Sequence, residues 1–251
     1  IIFFNVSFYI SAIIPSFNRY EFLLNAVNSV KNQSIENYEI IIINDGSTDS
    51  NYYTNSFNDS NIKQIDLKEN QKIKNGFSSD AIRNIGISEA KGKYVAFLDD
   101  DDVWFPDKLE IQVNLLEEST NKLSCTEGYF GLGKYDLKKK YKLYNQDHYY
   151  KEISKKYKGS EFIKNENLMK KFKFPKEFTS DFIDIHNCIV TSSLIVETDL
   201  IKKVGMFDPA LPNGVGDYDC WKKMLQFTNC EYTEKPLFYY DGFHGTGQNY
   251  K

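Results

Sequence analysis

Four consecutive isoleucines, Ile40 to Ile43, close the run Tyr38-Glu39-Ile40-Ile41-Ile42-Ile43, which stops at Asn44-Asp45-Gly46. A strand with one wet face alternates apolar and polar side chains. An unbroken apolar run is instead the pattern of a strand buried on both faces, in a parallel sheet covered by helices on each side. The neighbouring sequence fits that frame. Phe8 to Ile14 is a short β-rich run closed by Pro15. Residues 20–32 carry Phe22, Leu23, Ala26, Val27 and Val30 at helical spacing. A weaker strand spans Ile62 to Leu67, a helix spans 79–90 and ends before Gly92, and Tyr94 to Leu98 is a further buried strand. Pro106 then opens a helix bearing Leu109, Val113 and Leu116. Strands alternating with helices predict a largely parallel sheet with right-handed crossovers.

The second half is less regular. Residues 134–158 are dense in Lys and Tyr and read as a surface insertion or lid. A helix is predicted over 160–172, a strand from Cys188 to Val196, a short helix from Thr198 to Val204 and an amphipathic helix from Asp217 to Phe227. No internal repeat or low-complexity linker divides the 251 residues, so one compact domain is expected.

Composition narrows the function. A formal charge of −4 and a pI near 5.5 argue against broad nucleic-acid binding, which needs a basic surface. Cys125, Cys188, Cys220 and Cys230 form no C-x-x-C pair and read as reduced, buried thiols. His148, His186 and His244 show no zinc spacing. No apolar run reaches the length of about 20 residues that spans a bilayer. The apolar start lacks a basic leader and a cleavage site. The chain begins with Ile, as expected of a domain cut from a longer protein. Of its 31 basic residues only Arg19 and Arg83 are arginine. A coding bias accounts for the lysines and makes the two arginines worth following.

Three polar segments follow three strands directly: Pro15-Ser16-Phe17-Asn18-Arg19, Asn44-Asp45-Gly46-Ser47-Thr48-Asp49 and Asp99-Asp100-Asp101-Asp102. In open α/β sheets ligands bind beyond the carboxyl ends of strands, so adjacent strands would gather these segments into one cleft. Four adjacent aspartates repel one another and call for protonation, full solvation or a hard cation such as Mg²⁺ or Mn²⁺. A solvated acidic turn ahead of a helix is the blander reading. Asp45 either stabilises its turn or accepts hydrogen bonds from a ligand base. Asn18 reads as an N-cap. Arg83 suits either planar phosphate or base contact or a salt bridge, and Arg19 reads as structural. In Gly216-Asp217-Tyr218-Asp219 a carboxylate could serve as general base or simply cap a helix.

The series SAIIPSFNR, EIIIINDGSTD, AIRNIGISEAKGKYVAFLDDDDVWFPDKLE and VGMFDPALPNGVGDYDCWKKM resembles the family 2 glycosyltransferases, from about Phe8 to His244, with 134–187 matching poorly. The resemblance implies the GT-A fold: α/β, with a Rossmann-like, mostly parallel sheet flanked by helices. It implies a nucleotide-sugar-binding half over about 8–130 and an acceptor-binding half over about 131–251. The implied activity is inverting transfer from a nucleotide-sugar, usually a UDP-sugar, with Mn²⁺ or Mg²⁺, to a glycan, lipid-linked or protein acceptor. A cytoplasmic place, free or at a membrane surface, goes with it.

By the same resemblance Pro15, Ser16, Phe17 and Asp45 hold the nucleoside. The D-x-D element maps onto Asp99-Asp100-Asp101, with a register open by one position. Asp101 is then the metal ligand, Asp99 or Asp100 reaches the ribose, and Arg83 serves the donor site. Asp217 is the base, and His244 joins the metal or diphosphate site. The family's glutamate before the base is Gly216 here, and an arginine shortly before the histidine is Asp241. A non-catalytic sugar-nucleotide or glycan-binding module is the alternative. A nucleotidyltransferase would need a Gly-rich triphosphate loop that the sequence lacks.

Overall fold

The computed structural model describes residues 9–55, 57, 59–76, 79–150, 153, 174–212 and 214–244. Phe8, Asn213 and the helix predicted over 160–172 lie outside them. Four strands alternate with helices through the first hundred residues: β1 (Ile10–Ser16), α1 (Tyr20–Lys31), β2 (Tyr38–Asn44), α2 (Asn51–Thr54), β3 (Ile62–Asp66), α3 (Gln71–Asn75), α4 (Ser79–Glu89) and β4 (Tyr94–Phe97). All three pairings among these strands are parallel, in the order β3-β2-β1-β4. The isoleucine run is the centre of this half. Ile40 and Ile42 face Leu23, Val27 and Val30 of α1 on one side of the sheet. Ile41 and Ile43 face Ile82 and Ile87 of α4 on the other. Alternation along a strand sends successive side chains to opposite faces, so two helical layers require four apolar residues in a row.

Beyond β4 the sheet departs from the parallel expectation. β5 (Val103–Trp104) and α5 (Lys108–Glu118) lead to β6 (Leu123–Gly131), β7 (Lys142–Leu143), β8 (Glu177–Phe178), α6 (Ser180–Ile185), β9 (Ile195–Glu197), α7 (Thr198–Lys203), α8 (Gly216–Met224) and β10 (Cys230–Asp241). The order continues β4-β9-β6-β10-β5, with β7 on β6 and β8 on β10. β9 runs antiparallel to both β4 and β6, while β10 is parallel to β6. The architecture is therefore a single mixed α/β sheet, wholly parallel in its first half and mixed beyond it. The short β9, lying antiparallel between β4 and β6, is what breaks the parallel run.

Two local readings need correction. Cys188 to Val196 is not one strand: Thr191–Ser193 forms a 3₁₀ turn and only Ile195–Glu197 pairs. The serines bend the chain there, Ser193 Oγ donating to the Val190 carbonyl at 2.6 Å. Nor is all of 134–158 a surface insertion. Tyr144–Tyr149 forms a π-helical turn whose Tyr144 and Asn145 are buried, with Asn145 N donating to Glu127 Oε1 at 2.8 Å. All four cysteines are buried thiols outside any disulfide. No helix among the described residues is long and apolar enough to cross a membrane.

Candidate active site

The parallel half brings the ends of β1, β2 and β4 together. Ser16 pairs in register with Asn44, and Asp45 N donates to the Ser16 carbonyl at 2.9 Å. Asn18 is not an N-cap. It sits at φ 53°, and its Oδ1 accepts from Thr48 N at 2.8 Å and Asp49 N at 3.1 Å, clasping the β1 turn to the β2 turn. Asn and Asp tolerate this left-handed conformation better than other residues with a side chain. Pro15 and Ser16 are buried at the end of β1, and Phe17 is half-buried beside them. The Ser16 hydroxyl donates to Asp100 Oδ2 at 2.6 Å and also bonds Tyr52 Oη.

Asp45 is buried, and its two oxygens accept from Asn70 Nδ2 and from Gln71 N, both at 2.9 Å. Burial pushes its pKa up to about 6, against the Gln71 hydrogen bond. Gly46 makes this possible. Its φ is +70°, and a Cβ there would lie 2.4 Å from the Glu69 carbonyl carbon and 2.5 Å from Asn70 N. Gly46→Ala should therefore cost about 1–3 kcal/mol, from backbone strain and displacement of the 69–71 segment. Urea unfolding measures this, and an unchanged midpoint would contradict it.

The aspartate run divides its side chains. Asp100 turns inward to Ser16, while its Oδ1 lies 3.4 Å from Arg19 Nη1. Asp99, Asp101 and Asp102 each offer an oxygen to one point, all within 4.8 Å of one another. Arg19 Nη1 donates to Asp101 Oδ2 at 2.7 Å and to the His244 carbonyl at 3.1 Å. Arg83 donates to Asp80 Oδ1 at 3.0 Å and also to Asp99 Oδ1. The chain's two arginines thus grip the run from opposite ends. Asp102 accepts from Asp241 N at 3.0 Å through Oδ1, while its Oδ2 is buried and accepts no hydrogen bond. Burial pushes Asp100, Asp101 and Asp102 above the usual carboxylate range; the neighbouring carboxylates add to the rise, and Arg19 pulls Asp100 and Asp101 back.

Asp217 enters from the far side. It is the second residue of α8, half-buried, with Oδ1 accepting from Tyr218 N at 2.6 Å and Oδ2 from Asn187 Nδ2 at 3.4 Å. Burial, then the charge of Asp80, pushes its pKa up to about 6. A cavity of about 300 Å³ connects these groups, lined among others by Arg83, Asp99, Asn187, Asp217, Tyr240 and His244. His244 stands edge-on to Tyr240 at 5.7 Å, outside the cluster of three carboxylates. A Cβ on Gly216 would come 3.0 Å from Asp80 Oδ2, itself buried and without a hydrogen-bond partner.

The family model described as Glycosyl transferase family 2 matches residues 11–195. The chain belongs to that family. An uncharacterized glycosyltransferase of Rickettsia typhi is 30% identical over 233 residues, covering 91% of this chain and 62% of that protein. The Escherichia coli protein WfgD, a UDP-Glc:alpha-D-GlcNAc-diphosphoundecaprenol beta-1,3-glucosyltransferase, is 33% identical over 108 residues, 43% of this chain and 40% of that protein. The chain thus spans less than two thirds of these relatives. Among solved structures, S. aureus TarS 1–349 in complex with UDP-GlcNAc matches with a TM-score of 0.66 at 18% identity, covering 96% of this chain and 61% of that one. That likeness is one of fold, and the fold is GT-A.

Several residues of this family 2 glycosyltransferase lie at the site without a sequence signal that marked them. Ser192 is one: its Oγ accepts from Asp99 N at 3.1 Å and its carbonyl from Trp104 Nε1 at 2.7 Å, fixing the start of the aspartate run. Asn187 and Tyr149 wall the cavity from segments with no periodicity to read. Arg19 was legible as one of two arginines, yet its partners were not, because Asp101 lies 82 and His244 225 residues away along the chain.

Proposed function

We propose that this chain transfers a sugar from a nucleoside-diphosphate sugar, a UDP-sugar, to an acceptor hydroxyl with inversion at the anomeric carbon. The observation that carries the reading is a shared cavity with Asp99 of the carboxylate cluster on one wall and Asp217 on another. Asp80, Asp99 and Asp217 line it with Arg83, and Arg19 pairs with Asp100 and Asp101 of the adjoining run. With one buried Asp102 oxygen accepting no hydrogen bond, this donor set fits a hard divalent cation. Asp99, Asp101 and Asp102 would hold Mn²⁺ or Mg²⁺, which when bound supplies positive charge against the departing diphosphate.

The protein's own groups do the rest. The nucleoside lies against Pro15, Ser16, Phe17 and Asp45, and Arg83 faces the diphosphate end of the donor. Asp217 accepts the proton of the acceptor hydroxyl as that oxygen bonds to the anomeric carbon and the bond to the diphosphate oxygen breaks on the opposite face. One displacement needs no covalent intermediate, and the products are an inverted glycoside and the nucleoside diphosphate.

Asp217 must be ionised to act. With its pKa at about 6, the rate should rise with pH through that value and level off above it, provided the cation is saturating. A profile that falls with rising pH across this window would remove Asp217 from the role. UDP release from a panel of UDP-sugars with Mn²⁺ or Mg²⁺, with and without candidate acceptors, tests the activity itself. Tight UDP binding without release under any condition would favour a binding module.

A further inference from the structure

Between β6 and β7 the chain reads Leu132-Gly133-Lys134-Tyr135-Asp136-Leu137-Lys138-Lys139-Lys140-Tyr141, and Lys142 opens β7. Five lysines against one aspartate make this segment basic in a chain whose formal charge is −4. All five are exposed. Among the described residues eight lysines elsewhere are paired with acids, as Lys63 is with Glu89 and Lys122 with Glu197, and no carboxylate pairs with any of these five. The one acid, Asp136, is engaged in the turn: its Oδ1 accepts from Lys138 N at 2.9 Å and its carbonyl from Lys139 N at 3.0 Å. Its charge therefore serves to shape the loop.

The same surface carries exposed apolar side chains. Leu137 is 86% exposed, Leu132 54% and Phe243 53%, three of the seven large hydrophobics exposed among the described residues. Leu132 packs beside Gly242, and Phe243 lies beside Gly133, so the loop and the chain after β10 present these two together; Leu137 stands further along the same loop, at the rim of a cavity lined by Phe22 and Phe105. The loop is also held firmly. Tyr135 packs on Phe105 and Tyr239, with ring centres 5.2 Å apart in each case, and Tyr239 Oη donates to the Gly133 carbonyl at 2.6 Å.

We propose that this surface docks on an anionic lipid bilayer, the leucines and Phe243 entering the headgroup boundary while the lysines meet lipid phosphates. Lysine stems lie along apolar surface while their ammonium groups reach outward. Clusters of four to eight basic residues beside apolar side chains are what anionic membranes attract. Both elements are needed, since charge alone would equally serve a soluble polyanion. Asp241 links the surface to the site: its Oδ1 accepts from Gly133 N at 2.7 Å and Phe243 N at 2.9 Å, and its N–H donates to Asp102. Docking would hold the mouth of the cleft at the lipid surface, within reach of an acceptor carried on a lipid. Only that last consequence rests on the transferase reading; vesicle binding does not.

The test is co-sedimentation with vesicles of phosphatidylcholine alone and of phosphatidylcholine mixed with phosphatidylglycerol. The protein should bind the mixed vesicles, not the neutral ones, and lose binding in high salt. The triple variant Lys138→Glu, Lys139→Glu, Lys140→Glu should weaken binding by at least about a hundredfold, while Lys91→Glu, before β4 at the other end of the sheet, should not. Leu132→Ser with Leu137→Ser should also weaken it. All of these positions are exposed, so melting curves close to the parent's are expected. Absence of binding to the mixed vesicles, or full binding by the triple variant, would overturn the proposal. So would heparin binding as strong as vesicle binding with the leucine pair making no difference, which would mark a polyanion site.

Discussion

Asp217→Asn should lower sugar transfer by about 10²–10⁴-fold, the range that a positioned general base supplies, and leave the affinity for UDP unchanged. Asparagine keeps the shape and, through Oδ1, the hydrogen bond from Tyr218 N, while the long contact from Asn187 Nδ2 finds no acceptor at the new amide nitrogen. What the chemistry loses is the capacity to take a proton. The pH dependence should disappear with it, because the carboxylate pushed up to about 6 by burial and by Asp80 is gone. Two readouts separate the possibilities: UDP release under saturating donor reports the chemical step, and UDP titration reports the donor site. Full transfer by Asp217→Asn would exclude it as base. Equal losses of transfer and of UDP affinity would mean that α8 shapes the donor pocket instead.

Asp101→Asn should abolish the response to divalent cation. A ligand at a hundredfold its Kd stabilises the native state by about 2.7 kcal/mol, which in a chain of this size raises Tm by about 5–10 °C. The parent should show that shift with Mn²⁺, and Asp101→Asn should show almost none. Activity should fall on the order of a hundredfold or more, since Lewis-acid help is worth several kcal/mol. Asp100→Asn is the comparison, for that side chain faces Ser16 and Arg19 and stands apart from the cluster. It should keep the cation-dependent shift. The reverse pattern, with Asp100 essential for the shift and Asp101 dispensable, would move the cation to the other face of the run.

How far the sequence could be read follows from what kind of information each element needs. β1, β2 and β4 and their helices were legible because both faces are buried by chain-local partners, so periodicity reports them directly. The gathering of Ser16, Asp45 and Asp99 followed from that topology. The antiparallel strand β9 and the 3₁₀ turn before it were not legible, since Cys188–Val196 is apolar enough for a strand and only the bend at Ser193 interrupts it. The four aspartates could not be told apart either. Identical residues carry no internal signal, and only the inward turn of Asp100 to Ser16 distinguishes it from Asp99, Asp101 and Asp102. Ser192 and Asn187 act through contacts of long sequence separation that no local pattern encodes.

The four isoleucines carry a cost in precision. Where one face of a strand is wet, a slip of one residue exposes the apolar set and is penalised at once. In β2 a slip merely exchanges one isoleucine for another, so hydrophobicity cannot count the register. Polar residues at the two ends do that instead. Glu39 accepts from Ser11 Oγ at 2.7 Å and Lys91 N at 2.8 Å. Asn44 donates to Asp66 Oδ1 at 2.8 Å and accepts from Ser47 N at 3.0 Å. These bonds act as end stops on an otherwise sliding bar, and the placement of Asp45 beside Ser16 depends on them more than on the core that surrounds it.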